Sequence, residues 1–255
     1  MGAKHIMFNL FKKKSTVTYS DRFPVTIDIH SHILPGIDDG SPDIETSLKL
    51  IKGLYDLGVR KSIATPHIIG DLYRNTPATI GAALAITKKA CADAGIDMEL
   101  GAAAEYMLDD YFMELLRKKE PLLTLHKKLL LVEIPYTAPP YDLDEMLFSI
   151  LTEGYQPVLA HPERYFYYHR DMRQYARLKE MGFLLQVNLL SLTGYYGKSV
   201  AKAATFILEK ELAGLVGTDM HHEKHLKALS DVGNIGLFNR YLKGGVFNEL
   251  ENILG

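Results

Sequence analysis

Residues 25–40 read VTIDIHSHILPGIDDG. The first half is a β-run rich in Val, Ile and Thr. It ends in His30-Ser31-His32, a Pro35-Gly36 turn and the adjacent pair Asp38-Asp39. A strand tip that only packs against its neighbours has no use for so many polar groups, whereas a metal site does. His30 and His32 stand two apart, so an extended strand directs both to one side. Asp28 shares that parity one pleat deeper, either as a hydrogen-bond partner for a ligand or as a buried polar residue with no part in the site.

Downstream, short apolar runs alternate with amphipathic segments. The runs predict strands at Val25–His30, Ser62–His67, Met98–Glu105, Leu129–Ile134, Pro157–His161, Phe183–Asn188 and Leu215–Asp219. Ser41-Pro42-Asp43 predicts the start of a first helix, with Ser41 as N-cap, and Gly58 its end. Thr76-Pro77 opens a second helix that ends near Gly95. Asp142 and Asp171 read as caps of two more, which stop at Gly154 and Gly182. A further helix is expected over Ser199–Leu212, and the segment after His222 reads as helical. Strands alternating with helices imply a parallel α/β fold, closed as a barrel or open as a doubly wound sheet. No glycine-rich phosphate loop follows the first strand, so a dinucleotide site lacks its signature.

The polar residues gather at the C-terminal tips of these strands, where parallel α/β barrels build active sites. The first strand offers His30, His32 and Asp39, the second His67, the third Glu105 and the fourth Glu133. The fifth offers His161, the sixth Asn188 and the seventh Asp219 and His221. Nine of these are candidate ligands: His30, His32, Asp39, His67, Glu105, Glu133, His161, Asp219 and His221. That exceeds what one ion takes, so two or three divalent ions are expected, bridged by a carboxylate. Imidazole and carboxylate without thiolate favour manganese, iron or zinc over a soft metal without choosing among them; manganese is the first expectation. Such a cluster makes a metal-bound hydroxide near neutral pH and suits in-line displacement at phosphorus.

Arg164, three residues after His161, is either a bidentate clamp on a phosphoryl group or an ion-pair partner of Glu163. Tyr165-Phe166-Tyr167-Tyr168 shapes a pocket for an aromatic leaving group or packs the barrel rim. His126, His169, His222 and His225 carry no assigned role.

The net charge of −2 gives no footprint for nucleic acid. No apolar stretch approaches the ~20 residues that cross a bilayer. With 255 residues, one large domain over residues 25–255 is expected, preceded by a solvated arm over residues 1–24. That arm has no signal-peptide pattern. Met7 is a candidate native start, Met1–Ile6 then being foreign. Lys12–Lys14 could touch an acidic partner, though a loosely ordered arm explains them as well. Cys91, the single cysteine, suits a reducing cytoplasm.

In these residues the sequence resembles the polymerase-and-histidinol-phosphatase (PHP) family, and within it the bacterial capsule-type tyrosine phosphatases. The matching pieces are DIHSHILPGIDDG, ATPH, AAEYM, LVEIPY, LAHPERY, LLQVN and GTDMH, in family order from Thr26 to His221. The resemblance implies a distorted (β/α)7 TIM-like barrel with a trinuclear metal centre built from the nine ligands above. It also implies hydrolysis of phosphotyrosine on a protein, typically a bacterial tyrosine kinase of capsular or exopolysaccharide export. Arg164, His161 and Asp219 would carry catalysis. Some relatives place a second phosphate-binding arginine after the Asp-x-His motif; here Lys224 is the candidate substitute, beside His222 and His225. Two alternatives are a small-molecule phosphatase such as a histidinol-phosphate hydrolase, and a non-catalytic domain that keeps the metals. A cysteine-based phosphatase is not expected: the arginine such an enzyme needs six residues after its nucleophile is Asp97 here, and Cys91 falls on the apolar face of a predicted helix.

Overall fold

Alternating apolar and amphipathic segments become strands and helices in the computed structural model, which describes residues 22–242 with Phe247, Asn248 and Leu250. The strands are β1 (Ile27–Asp28), β2 (Lys61–Ala64), β3 (His67–Ile69), β4 (Tyr73–Arg74), β5 (Glu99–Ala102), β6 (Glu105–Met107), β7 (Leu129–Glu133), β8 (Gln156–Ala160), β9 (Leu184–Asn188) and β10 (Ala213–Gly217). The helices are α1 (Ile44–Leu57), α2 (Pro77–Asp93), α3 (Asp110–Arg117), α4 (Leu143–Thr152), α5 (Arg173–Met181), α6 (Lys198–Glu209), α7 (Glu223–Leu229) and α8 (Val232–Leu242).

Two expected strands are broken. Ser62–His67 splits into β2 and β3 at Thr65-Pro66, where proline has no N–H for the ladder. Met98–Glu105 splits into β5 and β6 at the same level, across Ala103-Ala104. The pairing therefore runs in two sheets, β1-β2-β5 and β10-β9-β8-β7-β6-β3-β4, parallel throughout except for β4, a short antiparallel addition to β3 that the sequence did not suggest. Main-chain bonds bridge the breaks: Thr65 donates to Ser31 at 2.7 Å and Ala103 to Ala64 at 2.8 Å. A parallel bridge between Ser31 and Met220 joins the tip of the first strand to the segment after β10. The circuit is a distorted, TIM-like arrangement of seven parallel positions.

Period-2 alternation sorts the core. Leu129 and Leu131 belong to a small buried cluster with Ile29, Ile63, Val158 and Leu215, drawn mainly from strands. Leu130 and Val132 belong to the larger cluster that includes helix residues such as Leu50, Ile80 and Ile207. Glu133 continues the parity of Leu129 and Leu131, so the strand that builds the small cluster also delivers a carboxylate to its open end.

The helix signals were nearly in place. Asp43, not Ser41, caps α1, accepting from Thr46 N at 2.7 Å, and Ser41 Oγ donates to the Asp43 carbonyl. Gly58 closes the helix at φ 113°, a left-handed conformation that glycine adopts freely. Thr76 and Thr79 form a reciprocal capping box on α2. Of the expected arm, residues 1–21 lie outside the described residues, Met1–Ile6 and Lys12–Lys14 among them. Phe23 is already part of the core and meets Phe238 of α8 edge-on at 6.2 Å. Among the described residues no helix is long and apolar enough to cross a membrane.

Candidate metal centre

All nine candidate ligands meet at one end of the strands. They form four groups whose donor atoms lie within 4.8 Å of one another: His32, Asp39, His67 and His221; His30, His161 and Asp219; His30, His32 and Glu105; and His67, Glu105 and Glu133. Glu105, the first residue of β6 and fully buried, is the hub. Its Oε2 lies 3.1 Å from His30 Nε2, 3.2 Å from His32 Nε2 and 3.3 Å from His67 Nδ1. Its Oε1 lies 2.9 Å from His161 Nε2. A carboxylate with both oxygens inside a ring of imidazoles could serve as a ligand to ions held there.

Two features test whether these residues suit a cation. His67 Nδ1 and Glu133 Oε1 are buried without hydrogen-bond partners, although only 3.1 Å apart. Leaving both unpaired is costly unless something else satisfies them. His30 Nε2 and His32 Nε2 face each other at 3.3 Å, both side chains fully buried. Each ring's other nitrogen is already engaged, His30 Nδ1 with Gln186 and His32 Nδ1 with Asp38. Electrostatics agree: burial works against charge on His30, yet the Glu105 and Asp219 carboxylates raise it to about 10. The site demands positive charge, and its nitrogen and oxygen donors fit divalent transition ions.

The backbone is bent to aim two of these groups. His161 has φ 34° and Asp219 φ 50°, left-handed values uncommon for residues with a Cβ. His161 follows Val158 and Ala160 of the small cluster, so a continued strand would turn it away; the left-handed step brings its ring to Glu105.

The two adjacent aspartates divide their work. Asp38 is buried, accepting from His32 Nδ1 at 2.8 Å, from Gly40 N at 3.0 Å and from His67 N at 3.2 Å, which fixes the His32 ring. Asp39 is half exposed, with Oδ1 3.5 Å from His67 and 3.6 Å from His221. Asp28 reaches His30 through that residue's main chain, not its ring. It accepts from the Thr218 amide at 3.0 Å and hydroxyl at 2.7 Å, anchoring the residue before Asp219, and burial raises it to about 6.

The groups open into a cleft of ≈ 310 Å³ whose remaining walls are Tyr136, Arg164, Tyr196, His222 and His225. Arg164 donates from Nη1 to Asp219 Oδ2 at 2.7 Å and sits between two aromatic faces, 4.6 Å from the Tyr196 centroid and 5.2 Å from that of Tyr136. The alternative partner of Arg164 is thereby ruled out. Glu163 is fully buried and turned away, accepting from Ser191 Oγ at 2.7 Å and Asn188 N at 2.9 Å.

The tyrosines of the aromatic run pack instead of lining the cleft, and Phe166 is exposed away from it. Tyr165 is buried, its hydroxyl bonded to the main chain of Ala160 and Ile134, and Tyr167 donates to the Pro135 carbonyl. Tyr136 and Tyr196 are the aromatic walls that the sequence did not single out. Tyr136 stood within the quoted LVEIPY, and Tyr196 lies between Gly194 and Gly197. Lys224 is exposed on α7 and absent from the lining, whereas His222 and His225 are present. Burial lowers His225 to about 4.

Comparisons with known proteins follow the same residues. The sequence matches the family described as Capsular polysaccharide synthesis, CpsB/CapC, over residues 26–229. It is 31% identical over 202 residues to tyrosine-protein phosphatase YwqE of Bacillus subtilis, covering 78% of each chain. It is 30% identical over 203 residues to tyrosine-protein phosphatase CpsB of Streptococcus pneumoniae, covering 77% of this chain and 83% of that protein. Among solved structures, one from work on YwqE and CpsB, described there as unique metal-dependent tyrosine phosphatases, superposes with a TM-score of 0.76 at 28% identity over 88% of both chains. A lactonase from Listeria monocytogenes shares the fold alone, with a TM-score of 0.51 at 13% identity. With its matching region spanning the whole set of converging ligands, this chain belongs to the CpsB/CapC capsular polysaccharide synthesis family.

Proposed function

We propose that this chain is a metal-dependent protein-tyrosine phosphatase, a phosphoric monoester hydrolase that acts in the cytoplasm on a tyrosine kinase of polysaccharide export. The observation that carries this reading is Glu105 at the centre of four histidines, directly beneath a cleft walled by Tyr136, Arg164 and Tyr196. The named activity of the relatives supports it.

The nine residues would hold two or three divalent ions, manganese first among them. Ions held there supply activated water and Lewis-acid stabilisation of charge developing at phosphorus. Arg164 makes one side-chain hydrogen bond among the described residues, to Asp219, so its remaining N–H groups are available to phosphoryl oxygens. Asp219 holds the guanidinium in place, and the flanking tyrosines restrict its swing. The same rings offer faces against which a phosphotyrosyl ring can lie. His161 and Asp219, both aimed by left-handed backbone, complete the groups at the reacting centre.

The test is an assay of manganese-loaded protein on a phosphotyrosine peptide, a phosphoserine peptide and histidinol phosphate. The peptide bearing phosphotyrosine should have the highest kcat/KM. A preference for histidinol phosphate would move the chain to small-molecule hydrolysis, and no turnover of any of the three would leave it a non-catalytic domain.

A further inference from the structure

β9 contributes no residue to the nine, yet its last side chains touch two of them. His30 Nδ1 lies 2.7 Å from Gln186 Oε1, Gln186 Nε2 lies 3.0 Å from Asn188 Oδ1, and Asn188 Nδ2 lies 2.8 Å from Asp219 Oδ2. His30, Gln186 and Asn188 have no exposed surface, and Asp219 is 2% exposed. Gln186 and Asn188 stand two apart, so the pleat presents both on one face.

The direction of this chain is forced from one end. Asp219 Oδ2 also accepts from the Arg164 guanidinium, which has donors only, so that oxygen can only accept. Asn188 must then turn its NH2 to Asp219 and its oxygen to Gln186. Gln186 must turn its NH2 to Asn188 and its oxygen to His30. His30 is left one role at Nδ1, that of donor, so the neutral ring that a metal ion requires has its lone pair on Nε2, which faces the cluster. Reversing either amide would set two acceptors or two donors against each other in a buried site.

We propose that Gln186 and Asn188 are positioning residues: an amide relay, anchored on Asp219, that fixes His30 with its proton on Nδ1 and its Nε2 free for a metal ion. This rests on the metal-centre reading above. The relay couples two ligands of one group, so the charge of Asp219 sets the tautomer of His30 across β9. The fold leaves room for it at Gly217, where a Cβ would lie 2.6 Å from His30 Cβ and 2.9 Å from Gln186 Nε2.

The experiment uses full-length protein and Zn²⁺ as a diamagnetic probe. Affinity is measured by competition with a fluorescent chelator, and the histidine rings are read by ¹⁵N NMR of the loaded protein. Wild type should show His30 protonated on Nδ1. Gln186→Met keeps the side chain's length and removes both relay bonds. It should weaken the tightest Zn²⁺ site by about 10–100-fold and expose the His30 Nδ1 proton to solvent exchange. Gly217→Ala, which removes no polar group, should shift affinity in the same direction. If wild type takes up no ion, the metal-centre reading falls and the relay with it. Wild type that binds Zn²⁺ with His30 protonated on Nε2, or folded variants that bind as tightly as wild type and keep the Nδ1 proton, would overturn the relay alone.

Discussion

Arg164 donates to Asp219 Oδ2 at 2.7 Å while Asp219 Oδ1 faces His30 and His32, each at 3.4 Å. One carboxylate thus holds the cleft's guanidinium with one oxygen and addresses the candidate metal centre with the other. If Arg164 grips phosphoryl oxygens, Arg164→Ala should lower kcat/KM by about 10²-fold or more. Arg164→Lys should recover only part of the loss, since an ammonium lacks the planar fork. Metal content should stay at the wild-type value in both variants, because Asp219 keeps its hydrogen bond from Asn188. Wild-type kinetics in Arg164→Ala would reduce the residue to a structural ion pair.

The nine ligands predict two or three transition-metal ions per chain and loss of hydrolysis on chelation, restored when the metal is added back. Elemental analysis alongside the assay decides this: full activity with no bound transition metal would sink it. Coordinating nitrogens must be free of protons. Against the opposing effect of burial, the neighbouring carboxylates raise His30, His32, His67 and His221 above the ordinary histidine value. Protons therefore compete for these nitrogens from a higher pH than in free imidazole; activity should fall as pH drops, with metal released in parallel. A pH profile flat into acid would contradict the ligand assignment.

Gly40 closes the turn that carries Asp38 and Asp39. A Cβ there would stand 2.1 Å from the His32 carbonyl oxygen and 2.4 Å from His32 Cβ, too close for any L side chain without moving the backbone. Gly40→Ala should therefore disturb the Asp38–His32 bond, lowering bound metal and activity together. Gly81→Ala, at an open position on α2, should change neither. Equal metal content in the two variants would show that the turn is not tight at Gly40.

The ligands were legible because His, Asp and Glu are out of place at the ends of apolar runs, and the alternation of strands and helices ordered them around the fold. The breaks at Thr65-Pro66 and Ala103-Ala104 were not, since Thr suits a strand and alanine, though depleted there, does not end one. Only Pro66 signalled one of them. The first cap moved from Ser41 to Asp43 because both residues suit an N-cap and Pro42 follows the wrong one. Tyr136, Tyr196 and Gln186 escaped notice for a different reason. Tyrosine and glutamine are ordinary residues in loops and strands, and only the closure of the fold reveals that they face the site. In sequence Arg164 was open to a phosphoryl clamp or an ion pair with Glu163; the fold gives it a third partner, Asp219, 55 positions away.

Cys91 tests the mechanism from the opposite side. Nucleophilic cleavage by cysteine needs an exposed, low-pKa thiolate. Cys91 lies on α2 in the buried row Ile80, Ala83, Thr87 and Cys91, is 3% exposed, and burial raises its thiol above the ordinary value. The thiolate is the charged form, so burial lowers its population at any pH below the shifted value. Alkylation by iodoacetamide in the folded protein should be slower than that of a free thiol at pH 8 and should accelerate only at higher pH. Cys91→Ser should keep most of kcat, any loss tracking a lower Tm from placing a hydroxyl in an apolar row. His161→Ala should lose activity with the helix untouched. A folded Cys91→Ser protein without activity, or a phosphocysteine trapped during turnover, would place the nucleophile on the protein and remove the metal centre from the chemistry.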